Sequence, residues 1–198
     1  MRVAIVDSGC ANIASVRFAL ERLGASPEIT FETSVIRAAT HVVLPGVGTA
    51  TSFMARMREG ELEECLRSLR RPCLGICLGM QAMFERSEEG DTATLGIFPG
   101  RIVRLPGGGG LTIPHMGWNR LAFSMNAGPL LEGIDSGAHV YFVHSYYAAV
   151  SGRTIATTRH GVDISAIAAR DNFFGCQFHP ERSGRTGARL LRNFLSLS

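Results

Sequence analysis

The chain has 198 residues, 45% of them hydrophobic and 19% charged, which suits one domain with a sizeable core among ordinary soluble globular chains. Its net charge of +3 is gathered into no run of like charges, so nucleic acid and membrane surfaces are poor candidate partners. All 20 basic residues are arginine, and a chain without lysine has no P-loop, no pyridoxal-phosphate Schiff base and no ATP-contacting kinase lysine.

The apolar run at Val3 to Val6 is too short for a secretory signal and reads as a first strand. No stretch approaches the roughly 18 apolar residues of a membrane span. The five cysteines, Cys10, Cys65, Cys73, Cys77 and Cys176, include no C-x-x-C pair, so free thiols in a reducing cytoplasm are expected. Ile13, Val16, Ala19, Leu20 and Leu23 then recur at helical spacing, closed by Gly24. Pro27 to Thr33 reads as a second strand and His41 to Leu44 as a third. Phe53 to Leu69 follows as a helix broken near Gly60, then Cys73 to Ile76 as a strand and Leu78 to Arg86 as a short helix. Strands alternating with helices of this length predict a mostly parallel central sheet covered on both faces, an α/β flavodoxin-like fold.

After about Gly90 glycine and proline become frequent and the run Gly107 to Gly110 reads as a loop between strands. Short extended pieces at Arg101 to Leu105, Trp118 to Phe123, Val140 to Val143, Thr154 to Thr158, Ile164 to Ala169 and Phe173 to Phe178 predict an antiparallel extension of the sheet. A last helix over Gly184 to Leu197 carries the apolar stripe Leu190, Leu191, Phe194, Leu195 and Leu197. There is no linker and no repeat, so residues 1–198 read as a single domain.

The sharpest chemical signal is Gly75-Ile76-Cys77-Leu78-Gly79, a nucleophile between a strand end and a helix start. It is the thiol counterpart of the G-x-S-x-G elbow, whose strained turn leaves no room for side chains two residues either way. There Cys77 meets the positive end of the helix dipole, and the Leu78 N–H is free to receive an oxyanion. Cys73 and Cys77 have no further cysteine or histidine at ligand spacing, so no metal is expected. A thiol nucleophile needs a base, and His179-Pro180-Glu181 follows a predicted strand. Pro180 pushes His179 out of the helical region, and in extended chain positions i and i+2 share a side, which puts Glu181 beside the imidazole. Leu44-Pro45-Gly46-Val47-Gly48 ends another strand, where the Val47 N–H is placed to supply a second oxyanion donor.

Pro45-Gly46-Val47-Gly48, Gly75-Ile76-Cys77-Leu78-Gly79-Met80-Gln81 and His179-Pro180-Glu181, in this order and spacing, resemble the triad-type (class I) glutamine amidotransferases. Pro114-His115-Met116-Gly117-Trp118-Asn119, Tyr141-Phe142-Val143-His144-Ser145-Tyr146-Tyr147 and Asn12 narrow the resemblance to the glutaminase subunits of imidazole glycerol phosphate synthases, over essentially the whole chain. The resemblance implies that Cys77 forms a γ-glutamyl thioester, that His179 moves the protons and that Glu181 orients His179. It implies further that Gly48, Gln81 and Ser145 hold glutamine, and that no cofactor is needed. By the same resemblance, ammonia passes to a (β/α)8-barrel cyclase in a heterodimer of histidine biosynthesis. Asn12, Trp118, Tyr141 and Arg182 would meet that partner, Arg182 standing where the family commonly has lysine. The alternatives are the glutaminase subunit of another synthase, or a catalytically silent interaction subunit on the same fold.

Overall fold

The computed structural model describes residues 1–9, 12–108, 110–124 and 127–198. Cys10, Ala11 and Gly109 therefore lie outside the described residues, and with them part of the first loop and of the Gly107–Gly110 run. The first half alternates as the apolar pattern requires: β1 (Arg2–Val6), α1 (Ile13–Glu21), β2 (Ser26–Thr30), α2 (Thr33–Ala38), β3 (His41–Gly46), α3 (Ala50–Glu59), α4 (Leu62–Arg67), β4 (Cys73–Cys77) and α5 (Leu78–Gln81). The second half is mostly extended: β5 (Arg86–Ser87), β6 (Thr92–Ala93), β7 (Arg101–Arg104), β8 (His115–Arg120), β9 (His139–His144), β10 (Tyr146–Ala148), β11 (Thr154–His160), β12 (Val162–Arg170) and β13 (Phe173–Cys176), closed by α6 (Gly184–Leu195).

Seven strands form the main sheet in the order β11-β12-β13-β4-β3-β1-β2. The five strands from β2 to β13 run parallel, and β12 and β11 add an antiparallel edge. Parallel strands covered on both faces read as unbroken apolar runs, and β3 and β4 are buried at every position. One face packs on α2, α3 and α4 through Ile36, Phe53, Met54, Met57, Leu62 and Leu66. The opposite face packs on α1 and α6 through Ile13, Val16, Leu20, Leu190, Leu191 and Phe194.

The structure corrects three details of the sequence reading and bears out a fourth. The second strand stops at Thr30, and Thr33–Ala38 is helical; with Ile36 as its one buried residue it has no periodic stripe to betray it. The helix after Cys77 is four residues long instead of reaching Arg86, because the carbonyls of Ala82, Met83 and Phe84 accept from the N–H groups of Leu95, Ile97, Phe98 and Gly96. The antiparallel extension holds for β11 and β12 only. β7 and β10 join β5 and β6 in a separate four-stranded sheet, β8 and β9 form a two-stranded ribbon, and β13 lies parallel to β4. The break in the helix near Gly60 is present, with Glu61 in the left-handed region at φ 53°.

Candidate active site

The parallel strands present their carboxyl ends on one side, the edge at which open α/β sheets bind ligands. Cys77 closes β4 there with φ 52° and ψ −109°, a conformation costly for a residue bearing a Cβ. The glycines around it are enforced by space. A Cβ on Gly75 would stand 2.7 Å from the Met80 nitrogen, one on Gly46 would stand 2.7 Å from the Gly79 nitrogen, and one on Gly79 would overlap the Leu44 carbonyl oxygen. α5 and β3 thus close directly on the nucleophile's turn.

His179 follows β13 in extended conformation, φ −99° and ψ 97°, and its N–H donates to the Tyr141 carbonyl at 2.9 Å. Glu181 does not continue the extended chain expected from the sequence. Pro180 opens a 3-10 turn, Pro180–Arg182, since its fixed φ suits a first helical position. The His179 carbonyl accepts from the Arg182 N–H at 3.0 Å and from Ser183 Oγ at 2.6 Å. α6 clamps this turn from behind, and a Cβ on Gly187 would overlap the Pro180 carbonyl. Pairing is still achieved: His179 Nδ1 lies 2.8 Å from Glu181 Oε1, with the side chains 3% and 0% exposed.

That bond leaves Nε2 of His179 to face Cys77. Nε2 and Glu181 Oε2 are buried with no hydrogen-bond partner among the described residues. Burial alone would push the His179 pKa down, but the Cys77 sulfur and the Glu181 carboxylate outweigh it and raise the pKa to about 10. The charged imidazole between a sulfur and a carboxylate is the arrangement of an activated thiol nucleophile. Cys73 and Cys176 carry no such partner, and burial pushes both thiols up, Cys73 to about 12. The four described cysteines are unbridged.

A cavity of about 320 Å³ opens onto this centre, and its wall brings together Cys77 and His179 with Val47, Gly48, Leu78, Gln81 and Ser145. Gly48 holds φ 102°, a turn that suits glycine. Ser8 Oγ donates to the Pro45 carbonyl at 2.7 Å and ties the first loop to the Pro45–Gly48 turn. Both N–H bonds of Gln81 are used inside the protein, to the Tyr146 carbonyl at 2.7 Å and to Gln177 Oε1 at 2.9 Å. Only the Gln81 carbonyl oxygen is therefore free for a ligand.

The four residues expected to face a partner adjoin the same centre. Trp118 is 57% exposed and pairs across the β8–β9 ribbon with Tyr141, their ring centroids 6.0 Å apart. The Arg182 guanidinium lies 5.8 Å from the Tyr141 ring, a cation–π distance. Met116, 62% exposed and two residues before Trp118, enlarges the apolar face and was not singled out from sequence. Asn12 has an additional place inside the centre: its Nδ2 donates to Glu181 Oε1 and lies 3.5 Å from His179 Nδ1.

Two further residues escaped the sequence reading. Among the described residues Glu89 is the one carboxylate on the cavity wall, and its Oε2 accepts from the Ala50 N–H at 2.7 Å. It stands in an acidic stretch where nothing local marks it out. Gln177, fully buried, directs Nε2 to Cys77 Sγ at 3.7 Å. The period-two rule could have found it, because Gln177 and His179 share a side of the extended chain.

Comparison with known proteins shows the family. The model of the family "Glutamine amidotransferase class-I" matches residues 4–197. The chain is 49% identical over 195 residues to "Imidazole glycerol phosphate synthase subunit HisH" of Haemophilus influenzae, covering 98% of this chain and 97% of the relative. It is 50% identical over 198 residues to the protein of the same name from Idiomarina loihiensis, covering 100% and 99%. Among solved structures, a glutamine amidotransferase superposes with a TM-score of 0.74 at 20% identity, covering 98% of this chain and 96% of that one. PurLQS from Thermotoga maritima gives 0.73 at 18%, covering 98% and 97%. These two likenesses speak for the fold. No helix among the described residues is long and apolar enough to cross a membrane.

Proposed function

Because the chain belongs to the class-I glutamine amidotransferase family, we propose that it is the glutaminase subunit of an imidazole glycerol phosphate synthase, built as one domain over residues 1–198. The observation that carries the chemistry is the buried Cys77–His179–Glu181 line at the mouth of the cavity. The assignment to this synthase rests on near-half identity along nearly the full length of relatives bearing that name.

In this reading the thiol proton of Cys77 rests on His179 Nε2, and the Sγ thiolate attacks the side-chain carbonyl carbon of glutamine. The tetrahedral oxyanion lies between the N–H groups of Val47 and Leu78, each worth about 10²–10³-fold in rate. Collapse breaks the C–N bond, the proton on Nε2 goes to the departing nitrogen, and ammonia leaves a γ-glutamyl thioester. His179 then takes a proton from water, whose oxygen attacks the thioester carbon. Glutamate departs, the sulfur leaves as thiolate, and the proton kept on Nε2 restores the resting pair. Glu181, bound to Nδ1, keeps Nε2 aimed at the reacting atoms throughout.

Gly48 and Ser145 line the path of the substrate, and Gln81 offers its carbonyl oxygen to the ligand's N–H groups. Glu89 gives the α-ammonium of glutamine a carboxylate partner. Glu89→Gln is therefore expected to raise KM for glutamine by roughly 10–100-fold while leaving kcat within a few-fold, the cost of one hydrogen bond to a charged group. Steady-state kinetics of the variant checks this.

The ammonia passes to a (β/α)8-barrel cyclase in a cytoplasmic heterodimer, docked on the face made by Met116, Trp118, Tyr141 and Arg182 beside Asn12. An exposed tryptophan at the centre of such a face is a typical energetic anchor. Trp118→Ala is expected to weaken cyclase binding by roughly 30-fold or more, measured by calorimetry, with the fold unchanged.

Glutamate release tests the whole reading with four samples: the chain alone, with the cyclase of the same organism, with cyclase and its ribonucleotide substrate, and the last with Cys77→Ala. Large stimulation in the third sample and loss in the fourth support it. Two proteins that bind without any glutamate release would favour the silent interaction partner, and failure to bind would point to another synthase.

A further inference from the structure

Two buried histidines beside the cavity take no part in the proton transfers above. His115 opens β8 and His144 closes β9, paired across the ribbon, with His115 Nδ1 3.0 Å from His144 Nε2. The atoms at both ends of this pair fix where every proton lies. His144 Nδ1 is 2.9 Å from the Tyr146 carbonyl, which only accepts, so His144 carries its proton on Nδ1. Its Nε2 must then accept, and His115 Nδ1 donates to it. At the far end His115 Nε2 meets Asn119 Nδ2 at 3.1 Å. The Asn119 amide cannot turn over, because its oxygen accepts from the Arg120 N–H at 2.8 Å and its nitrogen donates to the Arg159 carbonyl at 2.9 Å. His115 Nε2 is therefore an acceptor too. The donors run one way, from Asn119 to His115 to His144 to the Tyr146 carbonyl.

That carbonyl also accepts from Gln81, whose second N–H reaches Gln177, whose own amide reaches the Cys77 sulfur. We propose that His115 and His144 are positioning residues: a one-way relay of two neutral rings that holds the Tyr146 carbonyl, and through Gln81 and Gln177 the reacting sulfur, in register with the exposed Trp118 ribbon. The proposal rests on the glutaminase reading for what is positioned.

An added proton has no place in the relay, since protonating either ring sets a donor against a donor. Other groups face the pair from the elements packed around it. His160 of β11 stacks on His115 at 4.2 Å, with its Nε2 donating to the Thr112 carbonyl at 2.9 Å. Phe142 stacks on the other side of His115, at 4.8 Å. His179, Cys77 and Glu89 share the cavity wall with His144, and Glu181 lies behind His179. The Arg159 guanidinium is turned away to Asp163 at 2.8 Å. Burial first, then His160, lowers the His115 pKa to about 4. Burial first, then the neighbouring histidines, lowers that of His144 to about 3 against the pull of the Tyr146 carbonyl. Folded pKa values below the ordinary 6.5 mean that the native state is penalised as pH falls from about 6.5 toward these values, and that the relay is complete at neutral pH.

The tests are a long-range proton–nitrogen spectrum of the imidazoles in the full chain, assigned with His115→Phe and His144→Asn, and kinetics of variants with the cyclase present. Both rings are expected as Nδ1–H tautomers that do not titrate down to pH 5. His144→Leu removes the donor to Tyr146 and is expected to raise KM for glutamine roughly tenfold, and His144→Asn, which keeps a donor at the Nδ1 position, recovers most of that loss. His115→Phe keeps the ring stack but frees His144 Nε2, and is expected to move the acid limb of kcat/KM upward by about one pH unit. An Nε2–H tautomer, titration above pH 6, or KM unmoved in His144→Leu overturns the proposal. Wild type that releases no glutamate would instead sink the glutaminase reading, and the nitrogen spectrum would still decide the relay.

Discussion

Cys77→Ala is expected to lower glutamine hydrolysis in the cyclase complex by on the order of 10⁴-fold or more, because the covalent step loses its nucleophile and every later step depends on it. The variant retains the cavity wall, Glu89 and the backbone N–H groups of Val47 and Leu78, so glutamine binding should survive within a few-fold. It should also keep the fold, since alanine fills most of the cysteine's volume and demands the same φ of 52°. Equilibrium binding of glutamine to the variant, beside its turnover, separates lost chemistry from lost structure. Turnover within tenfold of wild type would mean that another group performs the reaction.

The second large effect is structural in origin. Gly79→Ala places a methyl group on the Leu44 carbonyl oxygen, backbone against backbone, where no side chain can swing aside. α5 must then move away from β3, at a cost of about 3 kcal/mol or more. For a chain of this size that corresponds to a Tm lower by roughly 10 °C. The same displacement shifts Leu78 and Cys77, so activity should fall even below the melting transition. Gly96→Ala is the control, since a Cβ there meets nothing within 4 Å although its φ of 66° still carries strain. It should cost about 1 kcal/mol and leave glutaminase activity near wild type. Equal losses of activity in the two variants would mean that the tight approach of α5 to β3 does not govern the site.

These effects trace back to what can be read directly from residues. β1, β3 and β4 were legible because a parallel strand covered on both faces is a short apolar run. α1 and α6 were legible because each buries a stripe at helical spacing. α2 was not, since a helix with one buried residue leaves no period to detect. The early end of α5 was invisible because it is imposed by residues 95–98, which take up its next carbonyls. Pairing in the second half was equally hidden: β13 and β12 look alike as sequence, yet one runs parallel to β4 and the other antiparallel to β13.

The site divides in the same way. Cys77 stands in a local signal, the glycine-flanked elbow, and His179 and Glu181 in another, around Pro180, even though the turn there is 3-10 and not extended. Glu89 and Gln177 are defined by what the fold brings to them across 39 and 100 positions of chain, Ala50 in the first case and Cys77 in the second. Asn12 shows the two kinds of information combined. The resemblance implies a place for it on the partner face, and the structure adds its bond to Glu181, 169 positions away.

In the proposed reaction Cys77 forms a thioester with glutamine in the active complex. The most direct measurement mixes wild-type complex, the cyclase's ribonucleotide substrate and isotopically labelled glutamine, stops the reaction in acid within one turnover, and weighs the peptide that contains Cys77. The expected result is a γ-glutamyl adduct on that peptide that decays as labelled glutamate appears and is absent from Cys77→Ala. Wild-type complex that releases glutamate with no adduct on Cys77, or with the adduct elsewhere, would contradict the account.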